Sequence, residues 1–282
     1  MNSINSLLFK IHRLLMNNKL SIKLYSILKW HEHFFSIKKI LYLDKQLQKN
    51  EFIYTIKTGT KFYLPLYNID SIQKEIVYKK DYYESGHLNQ ICSLNSNIAE
   101  KAIKDGFVLD IGSNIGNHTL FFAKEKKAKK IICFEPVKDT FRILEKNIEL
   151  NNLQAIVQAH NVGVGKQKSN ANIQYYDKSN IGSTQLSLAN DGDIPIIAID
   201  DIDFSERITF VKIDVEGFEQ NVIEGMISTL KKHHPVLMIE IRKIFFEKIN
   251  LILSDIGYTH IVIDVDVYNI GNYLYFPSTL KT

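Results

Sequence analysis

Residues 107–120, FVLDIGSNIGNHTL, constrain the fold more than any other stretch. Phe107, Val108, Leu109 and Ile111 make a short apolar run with β-branched members, the pattern of a strand buried on both faces of a parallel sheet. Gly112 to Gly116 supply a tight turn, and Thr119, Leu120, Phe121 and Phe122 open a helical pattern. Strand, glycine turn and helix in that order form the ligand-binding corner of an open α/β sheet, at the carboxyl ends of its strands.

The glycine spacing narrows the ligand. It reads Asp110-x-Gly112-x-x-x-Gly116 rather than the G-x-G-x-x-G that faces a pyrophosphate. An ionised Asp110 at the strand end would repel a pyrophosphate. It suits a ligand carrying positive charge, such as the α-amino group and sulfonium of S-adenosylmethionine (SAM). The plainer alternative is that Asp110 only caps the turn. On this reading Gly112, Ser113, Asn114 and Gly116 form the cofactor-binding turn. A second buried strand, Lys130 to Phe134, ends in Glu135-Pro136. An acid there, roughly 20 residues past the turn, is placed to accept hydrogen bonds from both ribose hydroxyls. A nicotinamide enzyme uses the same device, so Glu135 points to an adenosine ligand without naming it. Pro136 lacks an amide hydrogen, which is tolerated at a strand exit.

The pattern then alternates. A helix over Lys138–Leu150 leads to a strand over Ala155–His160, which implies a parallel sheet with right-handed crossovers. Beyond that strand, Asn161 and Val162 would lie by the adenine. The alternation breaks over Lys166–Asp201, and a stretch so long without a helix is usually functional. Its small-residue run Ser179–Thr184 reads either as part of an acceptor pocket or as a surface hairpin. A fourth strand, Ile208–Ile213, runs into Lys212-Ile213-Asp214-Val215-Glu216-Gly217, and a helix is expected over Phe218–Leu230. Lys212 and Asp214 share a parity and therefore a face. Charges at the tip of a central strand are costly unless they bind something or pair. A fifth strand, Pro235–Glu240, ends in another acid. Asp214, Glu240 and His118 are thus the candidates, in that order, for taking a proton from an acceptor hydroxyl. The same carboxylates would suit a hard divalent cation, but no His/Asp/Glu spacing demands one, and no metal is assigned. A helix over Ile91–Ile103 closed by Gly106, and His233 and His234 in a loop, complete the expectations for the core.

Three segments together, VLDIGSNIGNHTL, CFEP and FVKIDVEGFEQNVIEGM, resemble the FkbM family of SAM-dependent methyltransferases. The resemblance runs from about Tyr82 to about Ile263 and leaves out the N-terminal stretch. It implies a Rossmann-like, seven-stranded, mostly parallel sheet with helices on both faces, closed by an antiparallel pair of strands, and O-methylation of a sugar or polyketide hydroxyl. The pair Tyr83-Glu84 is similar to the family's entry segment, which would bring Glu84 near the methionine part of SAM. A helix-capping turn is the equal alternative. Two other function classes stay open: a nucleotide-cofactor oxidoreductase, disfavoured by the glycine spacing and Asp110, and a non-catalytic SAM-binding module.

The chain divides into an N-terminal extension, 1–80, and a methyltransferase domain, 81–282. Nine of the first 49 residues are basic and two acidic, so that segment carries +7 of a net charge of +4. Leu7, Leu8, Ile11, Leu14 and Leu15 recur there at helical spacing. A basic amphipathic helix lies on an anionic membrane or packs on its own domain or a second subunit. A hairpin is expected over Glu51–Leu66, turning near Gly59. The small net charge gives no nucleic-acid signal. Two cysteines in no metal-binding or disulfide pattern fit a reducing cytoplasm. No run reaches the roughly 18 apolar residues of a membrane span. The Lys-, Asn- and Ile-rich composition resembles that of a low-GC bacterium, whose methylated glycans lie in capsule, lipooligosaccharide or glycolipid.

Overall fold

The structure, a computed structural model, describes residues 52–266 and 268–280. The basic N-terminal stretch lies outside the described residues. Residues 53–282 form one compact unit, which takes in the hairpin and the first helix that the sequence grouped with the extension.

The hairpin is β1 (Ile53–Thr55) and β2 (Lys61–Tyr63), and α1 (Ser71–Lys79) follows. Next come α2 (Ser85–Ser93), α3 (Ile98–Ile103), β3 (Phe107–Ile111), α4 (Asn117–Lys124), β4 (Lys130–Phe134), α5 (Lys138–Leu150) and β5 (Val157–His160). The chain then forms β6 (Gly163–Val164), β7 (Ser169–Tyr175), β8 (Gln185–Leu188) and β9 (Ile194–Ile197). It returns through β10 (Ile208–Ile213), α6 (Glu219–Glu224), α7 (Ile227–His233), β11 (Val236–Arg242), α8 (Lys243–Asp255), β12 (Tyr258–Val265) and β13 (Ile270–Pro277).

Seven strands make the central sheet in the order β12-β13-β11-β10-β3-β4-β5. Every neighbouring pair from β11 to β5 is parallel, and β13 runs antiparallel to both its neighbours. Leu109, Ile111, Val211 and Ile213 pack on one face with Val222 of α6, Met226 between α6 and α7, Leu230 of α7 and Leu253 of α8. On the other, Phe122 of α4 meets Phe210 edge-on at 5.4 Å. Each such buried side chain contributes about 1.5–3 kcal/mol of transfer free energy, so the two-faced core dominates the stability.

Several expectations are corrected. The helix expected over 91–103 starts at Ser85 and breaks where Asn95, Ser96 and Asn97 all take positive φ. The left-handed residue before β3 is Asp105, while Gly106 is required because a Cβ there would lie 2.2 Å from the Ala102 carbonyl oxygen. The helix expected over 218–230 is two, split at Gly225, whose Cβ would lie 2.0 Å from the carbonyl oxygen of Gly165. The β-like pieces that the sequence shows at Ala171–Tyr176 and Ile194–Ile199 are β7 and β9, and with β6 and β8, which it does not show, they form a second, four-stranded sheet, β6-β9-β7-β8. His233 is buried, not a loop residue, and its Nδ1 accepts from the Ile208 amide at 3.1 Å.

Candidate active site

From β3 the parallel strands step outward through β4 and β5, and from β10 they step the other way through β11. Such a reversal leaves a crevice at the strands' carboxyl ends. A cavity of about 570 Å³ lies there, inside the roughly 300–1,000 Å³ span of small-molecule sites.

The glycine turn forms its floor. Gly112 has φ +78°, and a Cβ on it would lie 1.8 Å from the carbonyl oxygen of Asp214. The amides of Gly112 and Ser113 both donate to the Phe134 carbonyl at 3.0 Å. Ser113 Oγ donates to the Asp110 carbonyl at 2.7 Å and accepts from the Phe134 amide at 3.2 Å. These bonds tie the turn to the ends of both β3 and β4. The turn closes at Gly116, φ +87°, which caps α4.

Glu135 follows β4 and lines the cavity. Its two carboxylate oxygens accept from the amides of Asn114 at 2.9 Å and Val137 at 2.8 Å. Burial pushes its carboxyl up to about 7, against the pull of those two amides. Each oxygen keeps a lone pair beyond its one amide donor. Phe134, Pro136 and Val162 stand beside it as apolar wall. Asn114 Oδ1 and His118 Nε2 are buried in the same lining without a hydrogen-bond partner. A carboxylate with spare acceptor capacity, an apolar wall and two polar atoms lacking partners fit a nucleoside with a polar tail.

Of the residues expected to contact a cofactor, Glu84, Gly112, Ser113, Asn114, Glu135, Pro136, Val162 and Asp214 line the cavity. Asp110, Gly116 and Asn161 stand behind its wall. Asp110 is wholly buried on the α4 side of β3, where Oδ2 accepts from the Thr119 hydroxyl and Oδ1 lies 3.6 Å from Lys212 Nζ. Its carboxylate therefore faces the protein's own cation rather than the cavity. The Asn161 amide donates to the carbonyls of Glu135 at 2.8 Å and Pro136 at 3.1 Å, so it braces that turn.

At the other end of the cavity the parallel pairing of β10 with β11 brings Asp214 and Glu240 to neighbouring strand ends. Carboxylate oxygens of Asp214, Glu216 and Glu240 lie within 4.8 Å of one another. Lys212 Nζ is 3.3 Å from Asp214 Oδ2, and Arg242 Nη2 donates to Glu216 Oε2 at 3.1 Å. Asp214's charge, then burial, raises the Glu240 carboxyl well above the ordinary carboxylate range. Burial, then Asp214, does the same to Glu216. Glu84 enters from the start of α2 at φ +54°, raised by burial and by Asp214. His118 lines the cavity as a neutral imidazole, its pKa lowered by burial and by Lys212. This acid group has the spacing a hard cation would accept, but Lys212 and Arg242 already engage two of its members.

Tyr83, of the Tyr83-Glu84 pair, lines the cavity too, and the sequence reading missed Arg242, Asp266 and Tyr268, which also line it. Arg242 had a signal, since it shares the parity of Glu240 on β11. Asp266 and Tyr268 sit in a turn whose position only the β12–β13 pairing reveals.

Residues 110–259 match the model of the Methyltransferase FkbM domain, which spans the glycine turn, Glu135, Asp214 and Glu240. The chain belongs to the FkbM methyltransferase family. Methyltransferase 1 of Beauveria bassiana is 28% identical over 147 residues, 43% of this chain and 59% of that protein. The hexuronic acid methyltransferase AglP of Haloferax volcanii is 26% identical over 144 residues, 50% of this chain and 58% of that protein. The crystal structure of methyltransferase FkbM from Methylobacillus flagellatus KT superposes with a TM-score of 0.45 at 23% identity, over 61% of this chain and 43% of that one. The matched part thus spans less than two thirds of each of these three relatives. Among the described residues no helix is long and apolar enough to cross a membrane.

Proposed function

We propose that the protein is a SAM-dependent O-methyltransferase acting on a hydroxyl of a sugar in a surface glycan or glycolipid. The observation that carries this reading is the placement of Asp214 and Glu240 on neighbouring strand ends, in one cavity with Glu135 and the glycine turn. Family membership supports the reaction type, and the hexuronic acid methyltransferase among the relatives supports a sugar acceptor.

Bound SAM supplies a methyl group that its sulfonium already makes electrophilic. The chain's residues hold and align. The Glu135 oxygens would hold the cofactor's ribose hydroxyls, and Phe134, Pro136 and Val162 would offer its base an apolar wall. Asp214, kept in place by Lys212, would take the proton that the acceptor hydroxyl loses as it is methylated. The products are a methyl ether, a protonated carboxyl and S-adenosylhomocysteine. Alignment is the main contribution, because positioning two reactants removes most of the entropic barrier. General-base help adds about 10²–10⁴-fold. Glu240, raised by Asp214, holds a proton and donates to the acceptor oxygen. The reading puts the enzyme in the cytoplasm.

Calorimetric titration with SAM and, separately, with NAD tests the cofactor. The expected result is micromolar SAM binding, weakened in Glu135→Ala, and none for NAD. Methyl transfer to a panel of bacterial glycans, read as the mass of one added methyl group, tests the reaction. Binding of NAD alone, or of neither, overturns the proposal.

A further inference from the structure

The tip of the β12–β13 hairpin closes the acceptor end of the cavity. It is braced from inside. Asp266 Oδ1 accepts from the amides of Tyr268 at 2.8 Å and Ile270 at 2.9 Å. The Asp266 amide donates to the Ile270 carbonyl at 2.9 Å, and Asn269 takes φ +60°. The tip is also fixed to the strand that carries the acids. Ile270 is the register partner of Arg242, and Asn272 that of Glu240. The Lys243 amide donates to the Asn269 carbonyl at 2.8 Å.

So firmly held a turn has no need of its side chain at position 268, yet that side chain is a tyrosine, 80% exposed, on the rim of the cavity. On a cavity rim, such a ring presents an apolar face and a polar tip to whatever enters. Arg242 and Asp266 line the cavity beside it. The tip pairs two residues beyond Glu240, or about 7 Å along the strand.

We infer that Tyr268 is the platform on which the acceptor's pyranose ring stacks, with Arg242 and Asp266 beside it to meet that ring's polar edge. A pyranoside offers an apolar C–H face and a rim of hydroxyls, which an aromatic ring flanked by charged groups complements. A ring seated there lies on the acid side of the cavity, across from Glu135. The inference rests on the sugar-methyltransferase reading and names its acceptor-determining residue.

The test uses the full-length protein, fluorescently labelled, on a printed array of bacterial glycans with S-adenosylhomocysteine present. Tyr268→Phe and Tyr268→Trp keep an aromatic face, and Tyr268→Ala removes it. SAM affinity is measured by calorimetry for each. The expected result is that Tyr268→Ala weakens retention by at least about tenfold on the glycans the parent protein holds. Phe and Trp should retain them, and SAM affinity should stay within about twofold throughout. Equal retention by Tyr268→Ala overturns the platform while leaving the methyltransferase reading intact. A parent protein that binds SAM but holds no glycan also overturns it. Failure to bind SAM sinks the proposed function, and the array still reports on Tyr268 by itself.

Discussion

The ammonium of Lys212 donates to the carbonyl oxygen of Gly112 at 2.7 Å. Lys212 is 2% exposed, and the same ammonium lies 3.6 Å from Asp110 and 3.3 Å from Asp214. One buried cation therefore joins the glycine turn, the end of β3 and the end of β10. Replacing it with methionine leaves the buried Asp110 without its counter-charge. Breaking a buried pair in this way costs about 3–5 kcal/mol. Lys212→Met should show that loss as a fall in the urea midpoint at unchanged slope. Adding Asp110→Asn should recover part of it, because the orphaned charge is then gone. A double variant no more stable than Lys212→Met would contradict the pairing.

Gly112→Ala tests the approach of the turn to β10. A Cβ would lie 1.8 Å from the Asp214 carbonyl oxygen, and φ is +78°. The obstruction is the Asp214 backbone, which cannot swing aside as a side chain could, and the conformation itself disfavours alanine. The variant should lose several kcal/mol of stability, about 2 or more, and bind SAM poorly where it folds. Thermal unfolding with and without SAM measures both.

Glu135 should make cofactor binding pH-dependent. Its carboxyl is raised to about 7 in the folded protein, and only the ionised form accepts from both ribose hydroxyls. SAM affinity should rise from about pH 6 to about pH 8. Glu135→Gln should bind more weakly with a flat profile over that window. The stability trend runs oppositely. A carboxyl whose folded value is raised stabilises the fold most at low pH, and that contribution is lost as pH climbs from the unfolded value through about 7. Urea midpoints of the parent should fall over this range more steeply than those of Glu135→Gln.

Asp214 and Glu240 should separate under mutation. Asp214→Asn should lower turnover by about 10²–10⁴-fold with SAM affinity changed only a few-fold. Glu240→Gln keeps a hydrogen-bond donor and should lose less. Initial rates on one methylated glycan, compared with calorimetry, decide the point. If Glu240→Gln proves the more damaging, the two roles are exchanged.

The parts of the site that depend on near neighbours in sequence were legible. The glycine turn, Glu135 after β4 and the Lys212–Asp214 parity follow from spacings of a few residues. Asp110 was readable as a charge at a strand end, but its direction was not. Alternation puts it on the α4 side, where Thr119 and Lys212 wait, and that geometry is tertiary. β8 was missed because Gln185–Leu188 is held by pairing with β7 rather than by a pattern of its own. The breaks at 95–97 and 225 were missed because close backbone approaches and left-handed residues, not helix propensity, impose them. Tyr268 belongs to a turn that local residues explain completely, so nothing in its vicinity marked it as facing a cavity.

The hairpin at the start of the described chain is gripped in an unusual direction. Asn151 accepts from the Lys61 amide at 3.0 Å and donates to the Lys61 carbonyl at 2.7 Å, while Asn147 accepts from the Tyr63 amide. Asn147 also donates to the Ile115 carbonyl at 2.8 Å, within the glycine turn. Asn147 on α5 and Asn151 at its C-cap thus read peptide groups, which every amino acid but proline presents alike. Any side chain but proline's at 61 or 63 would leave these backbone contacts intact, and the grip rests on a pair of asparagines more than 80 positions away.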